Sequence, residues 1–148
     1  VDAGDPLPGA DLILDGLLGF SAAGDPRGAV AVAIRAANAH PAPILAIDLP
    51  SGLDATTGAI GVPCVQATWT VTLALPKTGL RAPGAAAVCG AITVADIGVP
   101  ADILRRAGAP VEASPFATAW FRPLDGDVAV HRERRGDEGV GTSGAEDD

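Results

Sequence analysis

Two aspartates occupy positions at which an enzyme with a β-sheet could place catalytic or ligand-binding groups. Asp15 closes an apolar run at residues 11–14, and Asp48 closes a second run at residues 44–47. Ligands of open α/β sheets bind at the carboxyl ends of the strands, so we expect both carboxylates at one edge. Such a pair can transfer protons or hold a cation. Aspartates at such positions also commonly cap loops or helices, and the residues alone leave this alternative open.

A loop of small residues, 19–25, is the second candidate, because it leads toward a predicted helix. Backbone N–H groups at a helix N-terminus attract anions. The loop residues are Gly19, Phe20, Ser21, Ala22, Ala23, Gly24 and Asp25. Lys77, the sole lysine, follows the apolar segment 67–75. We expect it to be a solvated loop residue, the alternative being a partner for a phosphate or an aspartate.

Several other chemistries are excluded by composition. His40 and His131 are the only histidines, one at a predicted helix end and one in a charged tail, so no Ser-His-Asp arrangement is expected. Cys64 and Cys89 lack metal-ligand or redox spacing and are predicted to be buried thiols. The net charge of −8 argues against nucleic-acid binding. Short apolar runs, broken by Asp, Gly and Pro, argue against a membrane span, and a soluble cytoplasmic protein is the default expectation.

The elements that would position these residues form a β-α-β unit. Asp25-Pro26 predicts a helix start, and His40-Pro41 predicts its end at about Ala39. The apolar spacing gives this helix one buried face, made of Val30, Ala33, Ile34 and Ala37. Because a helical crossover joins parallel strands, the runs before and after the helix are expected to pair in parallel.

Later segments extend this pattern. Residues 67–75 and 91–95 predict two further strands, and residues 101–107 predict a helical turn or two. The stretch 125–148 holds eight acids and three arginines without periodicity, which predicts a disordered acidic tail after a domain at 1–124. The predicted fold class is α/β, a Rossmann-like three-layer fold with a mostly parallel sheet.

The order of motifs resembles the YjeF N-terminal family. The matching segments are DLILDGLLGF at 11–20, AIDLPSGLD at 46–54, LPKTGL at 75–80 and VADIGVP at 94–100. Asn38 stands where that family has a helix-ending asparagine. The resemblance implies an NAD(P)H-hydrate epimerase, which interconverts the R and S forms of hydrated NADH or NADPH and binds a potassium ion.

Residue by residue, the resemblance assigns Asp15 and Ser51 as ligands of the potassium ion. It implies that residues 19–25 wrap the nucleotide and that Asp48 contacts the hydrated nicotinamide. Asp48 is also the hypothesised catalytic acid/base, because either route of epimerisation at C6 needs a positioned proton donor and acceptor.

One family segment has no counterpart in this sequence. The family places a loop of the type G-x-x-N-N-G-G-D-G ahead of the first matching segment, and the sequence contains no such loop. We therefore expect an N-terminally truncated form of the fold, with a strand edge and part of the core exposed and with weak nucleotide binding. A non-catalytic nucleotide-binding or protein-interaction module of the same fold is the alternative function. A homodimer and a separate dehydratase acting in the same pathway stay open as partners.

Overall fold

A computed structural model describes residues 6–106, 108 and 121–124 of the chain. The strands are β1 (Ile13–Asp15), β2 (Ile44–Ile47), β3 (Trp69–Leu73), β4 (Ala91–Ala95) and β5 (Phe121–Pro123). The helices are α1 (Gly28–Ala39), α2 (Ala86–Cys89) and α3 (Ala101–Arg106), and a 3₁₀ helix spans Thr78–Arg81. The strands lie side by side in chain order, with β1 to β4 parallel and β5 antiparallel to β4. The prediction of an α/β fold with a mostly parallel sheet is confirmed.

Helix α1 makes the crossover between β1 and β2. Its end at Ala39 is as predicted, because His40 has an extended backbone (φ −78°, ψ 142°) ahead of Pro41. Its predicted start is wrong: the residue before the helix is Arg27, and no side chain caps the first turn. The Asp25 carboxylate instead accepts a hydrogen bond from Val62 N at 2.9 Å, so it connects two loops.

The core covers one face of the sheet. Side chains that are partners in register lie on the same face, and this face includes Ile44, Ala46, Thr70 and Val94, all buried. Helix α1 packs on it through Ile34 and Ala37, which join Ile44 and Val65 in one apolar cluster. A second cluster on the same face packs against Ile92 of β4; its buried members are Leu49, Leu53, Ala55, Cys64, Leu80, Ala85, Val88 and Cys89.

The opposite face of the sheet carries exposed apolar side chains. Leu14 is 60% exposed, Trp69 is 44% exposed and Ile47 is 42% exposed, although all three lie in strands. Within residues 6–106, 108 and 121–124, no layer shields these side chains from solvent.

Several predicted boundaries can be compared with the structure. Strands β2 and β4 have the predicted bounds, whereas the strand predicted at 67–75 is limited to Trp69–Leu73. Helix α3 matches the short helix predicted at 101–107. In the described part of the chain, no helix combines the length and apolar character needed to cross a membrane. The predicted acidic tail, 125–148, lies outside the described residues.

Candidate active site

The buried centre of the candidate site joins Asp15 to Ser51. Asp15 is the last residue of β1 and is 2% exposed, and Ser51 is 1% exposed. The Ser51 hydroxyl donates to Asp15 Oδ1 at 2.6 Å, and Ser51 N donates to Asp15 Oδ2 at 2.7 Å. The Leu18 N–H donates to Ser51 Oγ at 3.0 Å and so closes the loop after β1 over the pair. The structure therefore brings together the two residues that the resemblance assigns to a cation.

A tight turn after β2 carries Ser51 to this position. Leu53 N donates to Pro50 O at 3.0 Å, and Val65 N donates to Ser51 O at 2.9 Å, so the turn is tied to a later segment. Gly52 has a φ of +103°, and a Cβ at that position would lie 2.7 Å from the carbonyl oxygen of Pro63. Only glycine fits this close approach, which explains why the turn has glycine at position 52.

Asp48 stands beside this turn at the carboxyl end of β2. Its φ of +72° is rare for a residue with a side chain. Its N–H donates to Val71 O at 2.8 Å, which extends the β2–β3 pairing by one residue. Its Oδ1 accepts from Leu73 N at 3.2 Å and also forms an ion pair with Lys77. Asp15 and Asp48 thus lie at the carboxyl ends of neighbouring parallel strands, at the same edge of the sheet, as the sequence predicts.

Lys77 does not have the solvated position expected from the sequence. Its ammonium contacts Asp48 Oδ1, and its side chain is only 21% exposed, so it is not a solvated loop residue. Buried Thr72 was not singled out by the sequence, and its Oγ1 lies 3.4 Å from Asp48 Oδ1. The sequence did contain a signal for the contact of Lys77 with Asp48. Lys77 follows strand β3, which is parallel to β2, so it lies at the same edge of the sheet as Asp48.

The loop 19–25 forms one wall of a cleft of about 190 Å³. The other wall is the segment after β2, and the lining residues are Leu18, Gly19, Ala22, Ala23, Gly24, Asp25, Pro26, Leu49, Pro50, Gly52, Leu53 and Asp54. Phe20, Ser21 and Asp48 do not line the cleft, and Phe20 is 69% exposed. The structure therefore separates these three from the other five predicted substrate-binding residues, and the assignment of all eight stays a prediction.

The chemistry of the donors fits a potassium ion. Asp15 is a buried carboxylate, and in the described part of the chain it forms no ion pair; the one ion pair there is between Lys77 and Asp48. Asp15 accepts three hydrogen bonds, but a buried charge without an opposite charge beside it is still costly, and a cation would offset part of that cost. Carboxylate and hydroxyl oxygens are hard ligands. Among the described residues, no three His, Cys, Asp or Glu side chains come together so that they could hold a metal ion, so a cation here would also need hydroxyl, backbone or water oxygens.

The two cysteines are buried, as predicted. Burial, together with smaller contributions from nearby Cys89 and Asp15, raises the pKa of the Cys64 thiol to about 11. Burial likewise raises the pKa of Cys89 to about 11. Both thiols are therefore protonated at neutral pH and unsuited to nucleophilic catalysis.

Comparison with known proteins gives a consistent set of relatives. Residues 2–79 match the family model described as YjeF-related protein N-terminus. The chain is 47% identical over 91 residues to the bifunctional NAD(P)H-hydrate repair enzyme Nnr of Moorella thermoacetica, covering 62% of this chain and 17% of that protein. It is 42% identical over 106 residues to the NAD(P)H-hydrate epimerase of Rhodopirellula baltica, covering 72% of this chain and 43% of the relative.

A third relative and a solved structure extend the comparison. The NAD(P)H-hydrate epimerase of Dehalogenimonas lykanthroporepellens is 39% identical over 122 residues, covering 82% of this chain and 48% of the relative. The crystal structure of yeast YNL200c has a TM-score of 0.55 at 24% identity, covers 77% of this chain and 46% of the yeast chain, and supports the fold alone. The chain thus spans less than half the length of each of these proteins.

Proposed function

The chain belongs to the YjeF-related protein N-terminus family, and from this membership we propose that it acts on hydrated NADH and NADPH and interconverts their R and S forms. The observation that carries the proposal is the arrangement at the strand ends. Asp15, Ser51 and Asp48 stand at the carboxyl edge of a parallel sheet, and residues adjacent in the chain to Asp48 and Ser51 line the cleft opposite part of loop 19–25. This is the edge at which open α/β sheets bind their ligands.

Asp48 is the proposed acid/base residue. Epimerisation at C6 requires the hydroxyl to leave with a proton as water and to return to the opposite face, or the ring to open and close. Either route needs a group that gives up a proton and takes it back. Asp48 Oδ1 is occupied by hydrogen bonds, whereas Oδ2 accepts none from the described residues. Oδ2 is therefore the oxygen proposed to exchange the proton.

The other proposed roles are binding roles. Residues 19–25 would hold the nucleotide part of the substrate against the segment after β2. Asp15 and Ser51 would hold a potassium ion, whose positive charge, when bound, favours negatively charged groups of the substrate nearby. We also place the reaction in the cytoplasm and expect a separate dehydratase to act in the same pathway.

An epimerisation assay tests the proposal. Purified R-hydrated NADPH is incubated with the 148-residue chain, and the S form is followed by chromatography against a protein-free control. We expect the chain to speed the conversion and Asp48→Asn to abolish the increase, whereas Asp102→Asn, on exposed residue 102 of α3, leaves it unchanged. Full turnover in Asp48→Asn would refute the acid/base role.

The cation assignment has its own measurement. Thermal unfolding in potassium chloride is compared with unfolding in tetramethylammonium chloride at the same ionic strength. A ligand that binds the folded state raises the melting temperature. We expect potassium to stabilise the chain and Ser51→Ala to lose the difference. Equal melting temperatures of the unchanged chain in the two salts would contradict a potassium site.

A second candidate function is a non-catalytic module that binds another copy of this chain. The exposed apolar side chains of Leu14, Ile47 and Trp69 favour it, because large exposed apolar patches often mark interaction surfaces. Analytical ultracentrifugation together with the epimerisation assay separates the two candidates. A folded dimer without turnover, which dissociates when Ile47 is replaced by serine, would support the module over the enzyme.

A further inference from the structure

Lys77 is held by three acceptors at the end of β3. Its ammonium contacts Asp48 Oδ1, lies 2.9 Å from Leu73 O and lies 3.3 Å from Thr72 Oγ1. A lysine ammonium has three N–H donors and no acceptor, so these contacts use its full capacity. No N–H of Lys77 is left for a phosphate or for another group of a substrate.

The side chain of Asp48 is held on one oxygen only. Leu73 N, Thr72 Oγ1 and the Lys77 ammonium all lie on the Oδ1 side, and none of the described residues donates to Oδ2. The backbone of Asp48, with a φ of +72°, persists only where surrounding contacts determine it. Lys77, in the segment after β3, supplies a contact to the Asp48 side chain.

The surroundings of the pair favour a defined geometry. The Lys77 side chain is 21% exposed and that of Asp48 is 17% exposed, and Thr72 beside them is fully buried. Exposed ion pairs restrain their side chains only weakly, because water and salt compete with the interaction. This pair is mostly shielded from both.

We propose that Lys77 is a positioning residue: it holds Asp48 by Oδ1 so that Oδ2 stays free to exchange a proton with the substrate. The inference rests on the proposed function for its catalytic consequence and on the contacts alone for the pairing. Lys77 does not contact the substrate and acts only through Asp48.

The kinetic test separates positioning from substrate binding. We expect Lys77→Met to lower kcat by about 100-fold and to change KM by less than about threefold, because a misplaced proton-transfer group affects the transition state. Lys77→Arg should recover part of the loss. Arg81→Met, which removes an exposed cation four residues later, should leave both constants unchanged. A raised KM with an unchanged kcat would overturn the proposal, because it would show direct substrate binding.

A double variant tests whether Lys77 acts through Asp48. The effects of residues that act as a unit do not add. Asp48→Glu keeps a carboxylate but displaces it, so it should retain a measurable rate, and that rate should change by less than about threefold when Lys77→Met is combined with it. A further loss of the size seen for Lys77→Met alone would show that Lys77 acts independently of Asp48, and would overturn the inference.

A spectroscopic test needs no turnover. Because Lys77 is the sole lysine, a chain grown with ¹⁵N-lysine gives a single ammonium signal in NMR. We expect that signal to show slowed proton exchange and to move in Asp48→Asn but not in Asp102→Asn. A signal typical of free lysine and insensitive to Asp48→Asn would overturn the inference. If the unchanged chain shows no turnover but its signal responds to Asp48→Asn, the proposed function fails while the pairing stands.

Discussion

Replacement of Ser51 by alanine tests the buried centre of the site most directly. The Ser51 hydroxyl both donates to Asp15 Oδ1, at 2.6 Å, and accepts from Leu18 N, at 3.0 Å. Alanine removes both interactions without adding bulk. Asp15 keeps the hydrogen bonds from Ser51 N and Leu17 N but loses its only hydroxyl donor.

The size of the effect follows from these two hydrogen bonds. A hydrogen bond to a charged group contributes about 1.5–3 kcal/mol, and a neutral one contributes about 1 kcal/mol. At a position that is 1% exposed, water does not readily replace the lost hydroxyl. We therefore expect Ser51→Ala to lower the free energy of unfolding by about 2–4 kcal/mol, a large part of the stability of a small domain.

Urea unfolding followed by far-ultraviolet circular dichroism measures this loss. With a slope of about 2 kcal/mol per M, the unfolding midpoint should fall by about 1–2 M. Ser21→Ala is the matched control, because Ser21 is exposed and lies in the loop after β1. It should change stability by less than about 0.5 kcal/mol. A loss below about 0.5 kcal/mol in Ser51→Ala would contradict this expectation, because it would mean that Asp15 does not depend on this hydroxyl.

Three further predictions concern other parts of the chain. Hydrogen bonds from the backbone and side chain of Thr57, and then from the backbone of Thr56, hold the pKa of the Asp54 carboxyl below its ordinary value. This contribution to stability is present above about pH 4 and is lost as the pH falls through the lowered value, so acid unfolding should be less steep in Asp54→Asn than in the unchanged chain. Because burial raises the pKa of both Cys64 and Cys89 to about 11, neither thiol should react with a disulfide reagent at pH 8 until urea unfolds the chain, and rapid labelling of the folded chain would contradict this. Asn38→Ala removes hydrogen bonds to Cys64 O (2.8 Å) and from Gln66 N (2.9 Å), and should cost about 1–3 kcal/mol in the same urea assay, with a smaller loss arguing that water replaces them.

Elements with local signals could be predicted from the amino-acid sequence. Strands β2 and β4 and the end of α1 were predicted at their observed positions, because short apolar runs and the His40-Pro41 pair act within a few residues. The placement of Asp15 and Asp48 at one sheet edge was also predictable. It follows from the geometry of parallel strands, whose carboxyl ends meet at the same edge.

The hydrogen-bond and ion-pair partners of the polar side chains depend on the tertiary structure. Asp25 resembles a helix cap in sequence, yet it binds Val62, which lies 37 residues away. Lys77 resembles a solvated lysine, yet the pairing of β2 with β3 places it on Asp48. Ser51 donates a hydrogen bond to Asp15, which lies 36 residues earlier in the chain. A carboxylate or an ammonium can pair with many different groups at similar interaction energy. Only the packing of strands and turns determines which group lies close enough.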